Sequence, residues 1–337
     1  MVRETEISTQ FGFKIYEVAP MKGVYLIKTD RGNKCLKKVG YGLQKLMYIY
    51  KAKEHIIDMG YDRIDRNELT PQGAPYAFVN DDIYVVTNWI NGRECDFKKD
   101  EELEAAAKTL AEFHLSARNF TPEDGVAVRC DIGRLPNTFE KRLSTLNKMR
   151  EIARKNKKKT EFDILYLSNV EFYSKLAQKA IKTFNMESYN RVCDYALKNR
   201  VICHHDYTYH NILFDENENV HVIDFDYCKW EIQVYDVSTI MVKALKRLDW
   251  DMDKAKLILG AYNSVNPISR DEYNVLKSML TFPQRFWRLA NRYYYKEAGW
   301  NDTTFIKKMK EIVDEREKYM NLISNMDDIV KDAGLGF

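Results

Sequence analysis

Hydrophobic and polar positions alternate in short runs over the first ninety residues. Tyr25–Thr29 and Lys34–Val39 are β-prone, with the turn-forming Asp30-Arg-Gly-Asn33 between them, which is a hairpin signature. From Gly42 to Met59 the period lengthens to that of a helix. Leu43, Leu46, Met47, Tyr50 and Ile57 share one stripe, and Gly60 supplies a stop. Two more strands are predicted over 75–80 and 82–89, split at Asp81-Asp82. The segment reads β-β-α-β-β, a small sheet with one helix.

At Asn91-Gly92-Arg93 the pattern changes. Leu103, Ala106, Ala107, Leu110, Phe113 and Ala117 line one face of a helix over 101–118. Further helices are predicted over 135–156, 160–182, 186–198, 233–247, 252–264, 269–280, 283–297 and 302–325. One interruption lies between Arg200 and Trp230. There a strand, Asn211–Phe214, a turn, Asp215–Asn219, and a second strand, Val220–Asp224, spell a hairpin.

Composition narrows the classes. Lys and Arg number 53 against 50 Asp and Glu, a formal charge of +3, so no electrostatic case for nucleic-acid binding exists. No apolar run approaches a bilayer span, and MVRETEISTQ lacks the apolar core of a signal peptide. A chain made in the cytoplasm, with no membrane partner, is expected. The six cysteines show no C-x-x-C pair, which points to reduced thiols rather than a disulfide framework.

The chemistry concentrates in His204-His205-Asp206-Tyr-Thr-Tyr-His210-Asn211 and Ile223-Asp224-Phe225-Asp226. The hairpin brings Asn211 and Asp224 to one end of a two-stranded ladder. Two hard oxygen donors then converge, which suits Mg²⁺ held partly by water and phosphates. Asp206 lies nearby in a loop, free to accept a proton. If the second strand stays regular, Asp224 and Asp226 project to the same side.

Asp206-x-x-x-x-Asn211 followed by Ile-Asp-Phe-Asp resembles the catalytic loop and metal motif of the protein-kinase-like superfamily, in its aminoglycoside phosphotransferase and choline kinase branch. The resemblance implies an α+β, two-lobed fold. A small β-rich N-terminal lobe (1–91) would bind the nucleotide, and a large, mostly helical C-terminal lobe (92–337) would carry the catalytic loop and substrate pocket. It implies Asp206 as catalytic base, Asn211 and Asp224 as Mg²⁺ ligands, and ATP as phosphoryl donor. Asp236 resembles an aspartate that braces the loop. Cys35-Leu-Lys37 resembles the kinase A-x-K strand, which assigns Lys37 to the ATP phosphates. Glu54 falls on the apolar stripe of the following helix, where a carboxylate requires a partner. Lys37 is the expected partner, and Lys38, on the other face, is the control. Trp89 and Ile90 fall at the hinge that reads adenine. The phosphate-loop position, Ala19-Pro-Met-Lys-Gly23, holds one glycine and departs from the pattern. His205 stands where relatives usually carry glycine.

Several segments resemble the CotS family of bacterial spore coat proteins. They are Glu54-His55 before Gly60-Tyr61, Trp89-Ile-Asn-Gly-Arg93, Ala111-Glu-Phe-His114 and Phe282-Pro-Gln-Arg-Phe-Trp287 with Tyr293-Tyr294. This implies sporulation, deposition in the spore coat and other coat proteins as partners. Two functions follow from the resemblance. One is an ATP- and Mg²⁺-dependent kinase of a small-molecule or coat hydroxyl. The alternative is an inactive kinase-fold coat scaffold. On 283–297, Arg285, Arg288, Arg292 and Lys296 form a cationic stripe beside the apolar one. It reads first as a solvated face and second as a wall that receives an anion.

Overall fold

The computed structural model describes residues 4–123, 125–296 and 300–337. In chain order it has helix α1 (Glu4–Phe11), strands β1 (Ile15–Met21), β2 (Val24–Thr29) and β3 (Gly32–Val39), and helix α2 (Leu43–Asp58). Strands β4 (Ala77–Val79), β5 (Asp82–Asn88) and β6 (Gly92–Glu94) lead to helices α3 (Asp100–Ser116), α4 (Leu135–Lys155), α5 (Glu161–Lys182) and α6 (Met186–Lys198). Short strands β7 (Ile202–Cys203), β8 (Ile212–Asp215), β9 (Val220–Val222) and β10 (Lys229–Trp230) follow. The chain closes with α7 (Val234–Leu245), α8 (Met252–Asn263), α9 (Arg270–Thr281), α10 (Gln284–Tyr294), α11 (Asp302–Asp314), α12 (Arg316–Ser324) and α13 (Met326–Asp332). Among the described residues no helix is long and apolar enough to cross a membrane.

The chain divides into two compact units. The first draws on residues 1–96, 109–130 and 199–230, and the second on 97–108, 131–198 and 231–337. The hairpin segment falls in the first unit because β6 pairs with β8, Gly92 opposite Asp215 and Glu94 opposite Leu213.

In the first unit the antiparallel sheet runs β1-β2-β3-β5-β4. Alternation along β3 sends Leu36 into a core with Ile27, Val86 and, from α1, Ile7 and Phe11. Cys35 and Lys37 then belong to the opposite face, as expected, where Val39 and Val85 pack on Leu46 of α2. The β1–β2 connection is only Lys22-Gly23, both with positive φ (43° and 89°). That is a tight hairpin turn and not a long phosphate-cradling loop. A second sheet, β6-β8-β9, carries the Asn211–Asp224 hairpin. Gly92 is required there, since a Cβ would meet the Phe214 carbonyl oxygen at 2.6 Å.

The second unit is helical. Leu146, Phe162, Tyr166, Tyr173, Phe286 and Met309 form its main core, with Tyr173 stacked on Phe286 at 4.0 Å between centroids. Thr160 and Asp163 form a capping box that starts α5. The single helix expected over 302–325 is broken at Glu315, whose carboxylate accepts from Trp250 Nε1 at 2.9 Å and pairs with Arg285. Helix α10 ends at Tyr294, and residue 297, its expected end, lies outside the described residues.

Candidate active site

The segment from His204 to Asp226 is built around a buried histidine. His204 is fully buried; its Nδ1 accepts from the Asp206 amide at 3.2 Å, so its Nε2 donates to the Ile223 carbonyl at 3.0 Å. One neutral ring thereby ties the Asp206 loop to the Asp224 segment. His205 adopts φ 69°, the left-handed conformation that glycine accepts most readily. Beyond it, Asn211 Nδ2 donates to the Asp206 carbonyl oxygen at 2.9 Å and lies 3.3 Å from Asp206 Oδ2. Asp206 and Asn211 are thus fixed relative to each other.

The hairpin pairs Ile212 with Val222, and the Ile223 amide donates to the Asn211 carbonyl at 3.0 Å. Asn211 and Asp224 do meet at one end of the ladder. The second strand does not stay regular, however. It ends at Val222, Asp224 turns left-handed (φ 64°, ψ 70°), and residues 225–227 form a 3₁₀ turn. Asp224 and Asp226 nevertheless converge, because this turn, rather than strand alternation, aims both at one cation.

That cation is Lys37. Its Nζ lies 2.7 Å from Asp224 Oδ1 and 2.9 Å from Asp226 Oδ2. Burial pulls the ammonium pKa down, but the two aspartates outweigh it and hold the pKa above the ordinary lysine value. Tyr41 Oη donates to Asp226 Oδ1 at 2.7 Å and steadies the second carboxylate.

The expected Lys37–Glu54 pair is absent. Glu54 Oε2 accepts from Arg66 Nη2 at 2.9 Å instead. The cause is the phase of α2. Its inward seam is Leu46, Ile49, Lys53 and Ile56, so the residue before Glu54 points inward. Lys53 is 2% exposed; its Nζ donates to Asn67 Oδ1 at 2.8 Å and pairs with Asp65 Oδ2 at 3.3 Å. Burial pushes the Asp65 carboxyl pKa up, and Lys53 opposes it. Lys38 pairs with Asp82 at 2.6 Å, away from Lys37.

Tyr41, Lys53, Asp65 and Asp226 line a cavity of about 470 Å³, within the range of small-molecule sites, whereas Asp206 and Glu54 are not among its lining residues. Lys37, Asn211 and Asp224 line it, together with Trp89 and Ile90. The Trp89 amide donates to the Asn33 carbonyl at 3.3 Å. Cys35 also faces the cavity, and burial pushes its thiol up to about 11. Sequence reasoning missed Tyr41, Lys53 and Asp65. The Leu46–Ile49–Lys53–Ile56 spacing was the available signal for Lys53.

The donor set suits a hard divalent cation. Asn211 spends its Nδ2 on Asp206, which leaves Oδ1 as its free ligand atom. The carboxylates of Asp224 and Asp226 already gather around a single positive charge.

The fold is that of small-molecule kinases. The structure of an aminoglycoside phosphotransferase from Alicyclobacillus acidocaldarius subsp. acidocaldarius DSM 446 superposes with a TM-score of 0.85, at 22% identity over 98% of this chain and 97% of that one. Spectinomycin phosphotransferase APH(9)-Ia, solved with ADP and spectinomycin, gives 0.64 at 12% identity, covering 95% and 97%. Choline kinase LicA from Streptococcus pneumoniae gives 0.52 at 16% identity, covering 96% and 97%. Over residues 4–326 the chain matches the family described as "Spore coat putative kinase YutH", and it belongs to that family. Spore coat protein S of Bacillus subtilis (strain 168) is 20% identical over 337 residues, 97% of this chain and 94% of that protein. The resemblance to spore coat proteins read from the sequence therefore holds.

Proposed function

We propose that this protein is an ATP-dependent phosphotransferase associated with the spore coat, acting on a hydroxyl of a small molecule or a coat component. The observation that carries the reading is the convergence of Lys37, Asp224 and Asp226 beside an Asp206–Asn211 pair fixed by hydrogen bonds. Neighbours of the same fold that were solved with ADP, or with AMP-PNP and Ca²⁺, support a nucleotide in the cavity.

In this reading Trp89 and Ile90 border the adenine, and Lys37 shifts from the aspartates onto the phosphates as these enter. Asn211 and Asp224 would hold Mg²⁺, which supplies charge neutralisation to the transferring phosphoryl group. Asp206 accepts the proton of the acceptor hydroxyl as its oxygen bonds to the γ-phosphorus. The bond from that phosphorus to the β,γ-bridging oxygen breaks, and ADP leaves. Positioning and electrostatics do the work, with no covalent enzyme intermediate. Glu54, committed to Arg66, has no part in the nucleotide set.

The test is γ-phosphate transfer from ATP to a panel of hydroxyl compounds and coat extracts, for wild type and Asp206→Asn. The variant is expected to fold normally and to lose transfer by about 10²-fold or more, the scale of a general base. Undiminished turnover in Asp206→Asn would sink the assignment.

A further inference from the structure

The β1–β2 turn holds the phosphate-loop position but is two residues long. Met21 pairs with Val24, and only Lys22 and Gly23 lie between them, both left-handed. Two residues expose too few amides to wrap a chain of phosphates, which takes a nest of successive N–H groups. The turn carries a side-chain cation at its tip instead. Lys22 occupies a backbone conformation that glycine adopts more readily, and it lines the same cavity as Lys37, Asn211 and Asp224.

Lys22, Lys37 and Lys53 all line the cavity, and their partners set them apart. Lys53 is buried and held by Asp65 and Asn67. Lys37 is half-buried and held by Asp224 and Asp226. The Lys22 side chain is 80% exposed, and its Nζ pairs with one carboxylate, that of Glu94, which is 36% exposed and lines the cavity as well. Glu94 lies on β6, where pairing with β8 sets it opposite Leu213. The Lys22–Glu94 pair therefore straps the turn of one sheet to a strand of the other. An ion pair this exposed adds little stability and opens at small cost, so the strap yields to a stronger anion.

We infer that Lys22 grips the nucleotide phosphates with its side chain, in place of a backbone cradle, and that Glu94 holds the ammonium until they arrive. A di- or triphosphate brings more negative charge than one carboxylate, and its oxygens replace Glu94 as acceptors of the charged hydrogen bond. Lysine suits the task, being a point charge on a flexible stem that can swing from one anion to another. Nucleotide entry thereby opens the strap, and its release lets the strap close again. Lys22 has this role only if the cavity takes the nucleotide of the proposed function, and one titration tests both.

The experiment is calorimetric titration of the full chain with ADP and Mg²⁺ in one arm and adenosine in the other, at fixed salt, for wild type, Lys22→Gln, Glu94→Gln and the double variant. Both side chains are exposed enough to be replaced without disturbing the core. Lys22→Gln is expected to weaken ADP about tenfold and to leave adenosine within about twofold. Glu94→Gln is expected to tighten ADP about threefold, because Lys22 no longer has to be released, and the gain should vanish in the double variant. Unchanged ADP affinity in Lys22→Gln, an equal loss for adenosine, or a Glu94→Gln gain that survives in the double variant would overturn the inference and leave the nucleotide reading standing. Wild type that binds neither ADP nor adenosine would overturn that reading and the Lys22 grip with it.

Discussion

Lys37 Nζ stands 2.7 Å from Asp224 Oδ1, so strand β3 and the turn at Asp224–Tyr227 hold each other by a direct ion pair. Both partners are about a quarter to a third exposed, so under the proposed function incoming phosphates and a cation would divide the pair between them. Lys37→Met is expected to fold but to lose ATP-dependent stabilisation. Transfer should fall by about 10²–10³-fold, the scale of removing one preorganised partner of developing charge. Turnover and melting of this variant with and without ATP check it, and wild-type transfer would remove Lys37 from the site.

Lys53 and Glu54 are adjacent in sequence and opposite in environment. Lys53→Met strands Asp65 next to a buried, apolar helix seam and is expected to destabilise by about 3–5 kcal/mol. Glu54→Gln breaks a pair whose arginine is 54% exposed, worth at most about 1 kcal/mol. Urea unfolding of the two variants measures the difference. The reverse order would mean that Glu54, rather than Lys53, is the inward charge of α2.

Much of this was legible in the sequence, and the failures share a cause. The hairpin that joins Asn211 to Asp224 was readable because the five residues Asp215–Asn219 are all turn or solvent-seeking types between two short apolar runs. Most helices of the second unit were readable from their periodicity, but the break at Glu315 and the last helix, Met326–Asp332, were not. The inward phase of α2 was not. Leu43, Met47, Tyr50 and Ile57 are large and apolar yet only half-buried, and they drew the stripe one residue away from the true seam. The left-handed turn at Asp224 was also invisible, since aspartate is common both in strands' ends and in turns. Tertiary contact decides such points, and local pattern does not carry it.

Cys35 offers a reporter on the cavity. With its thiol pushed up to about 11, it is neutral at pH 8 and gains thiolate as pH rises. Its alkylation rate, followed by site-resolved mass spectrometry, should climb about tenfold per pH unit between 8 and 10. Under the proposed function ATP should slow it, because the thiol lines the cavity assigned to the nucleotide. A rate that levels off by pH 9, or one indifferent to ATP, would contradict the placement.

The most direct test of the central claim is a thermal shift with millimolar ATP, with and without Mg²⁺, on wild type and Asp224→Ala. Binding to the native state raises the melting temperature by mass action. The account expects a Mg²⁺-dependent rise in wild type that disappears in Asp224→Ala. No shift in wild type, or an equal shift in both proteins, would contradict a working nucleotide and metal site and favour a coat scaffold that keeps only the kinase fold.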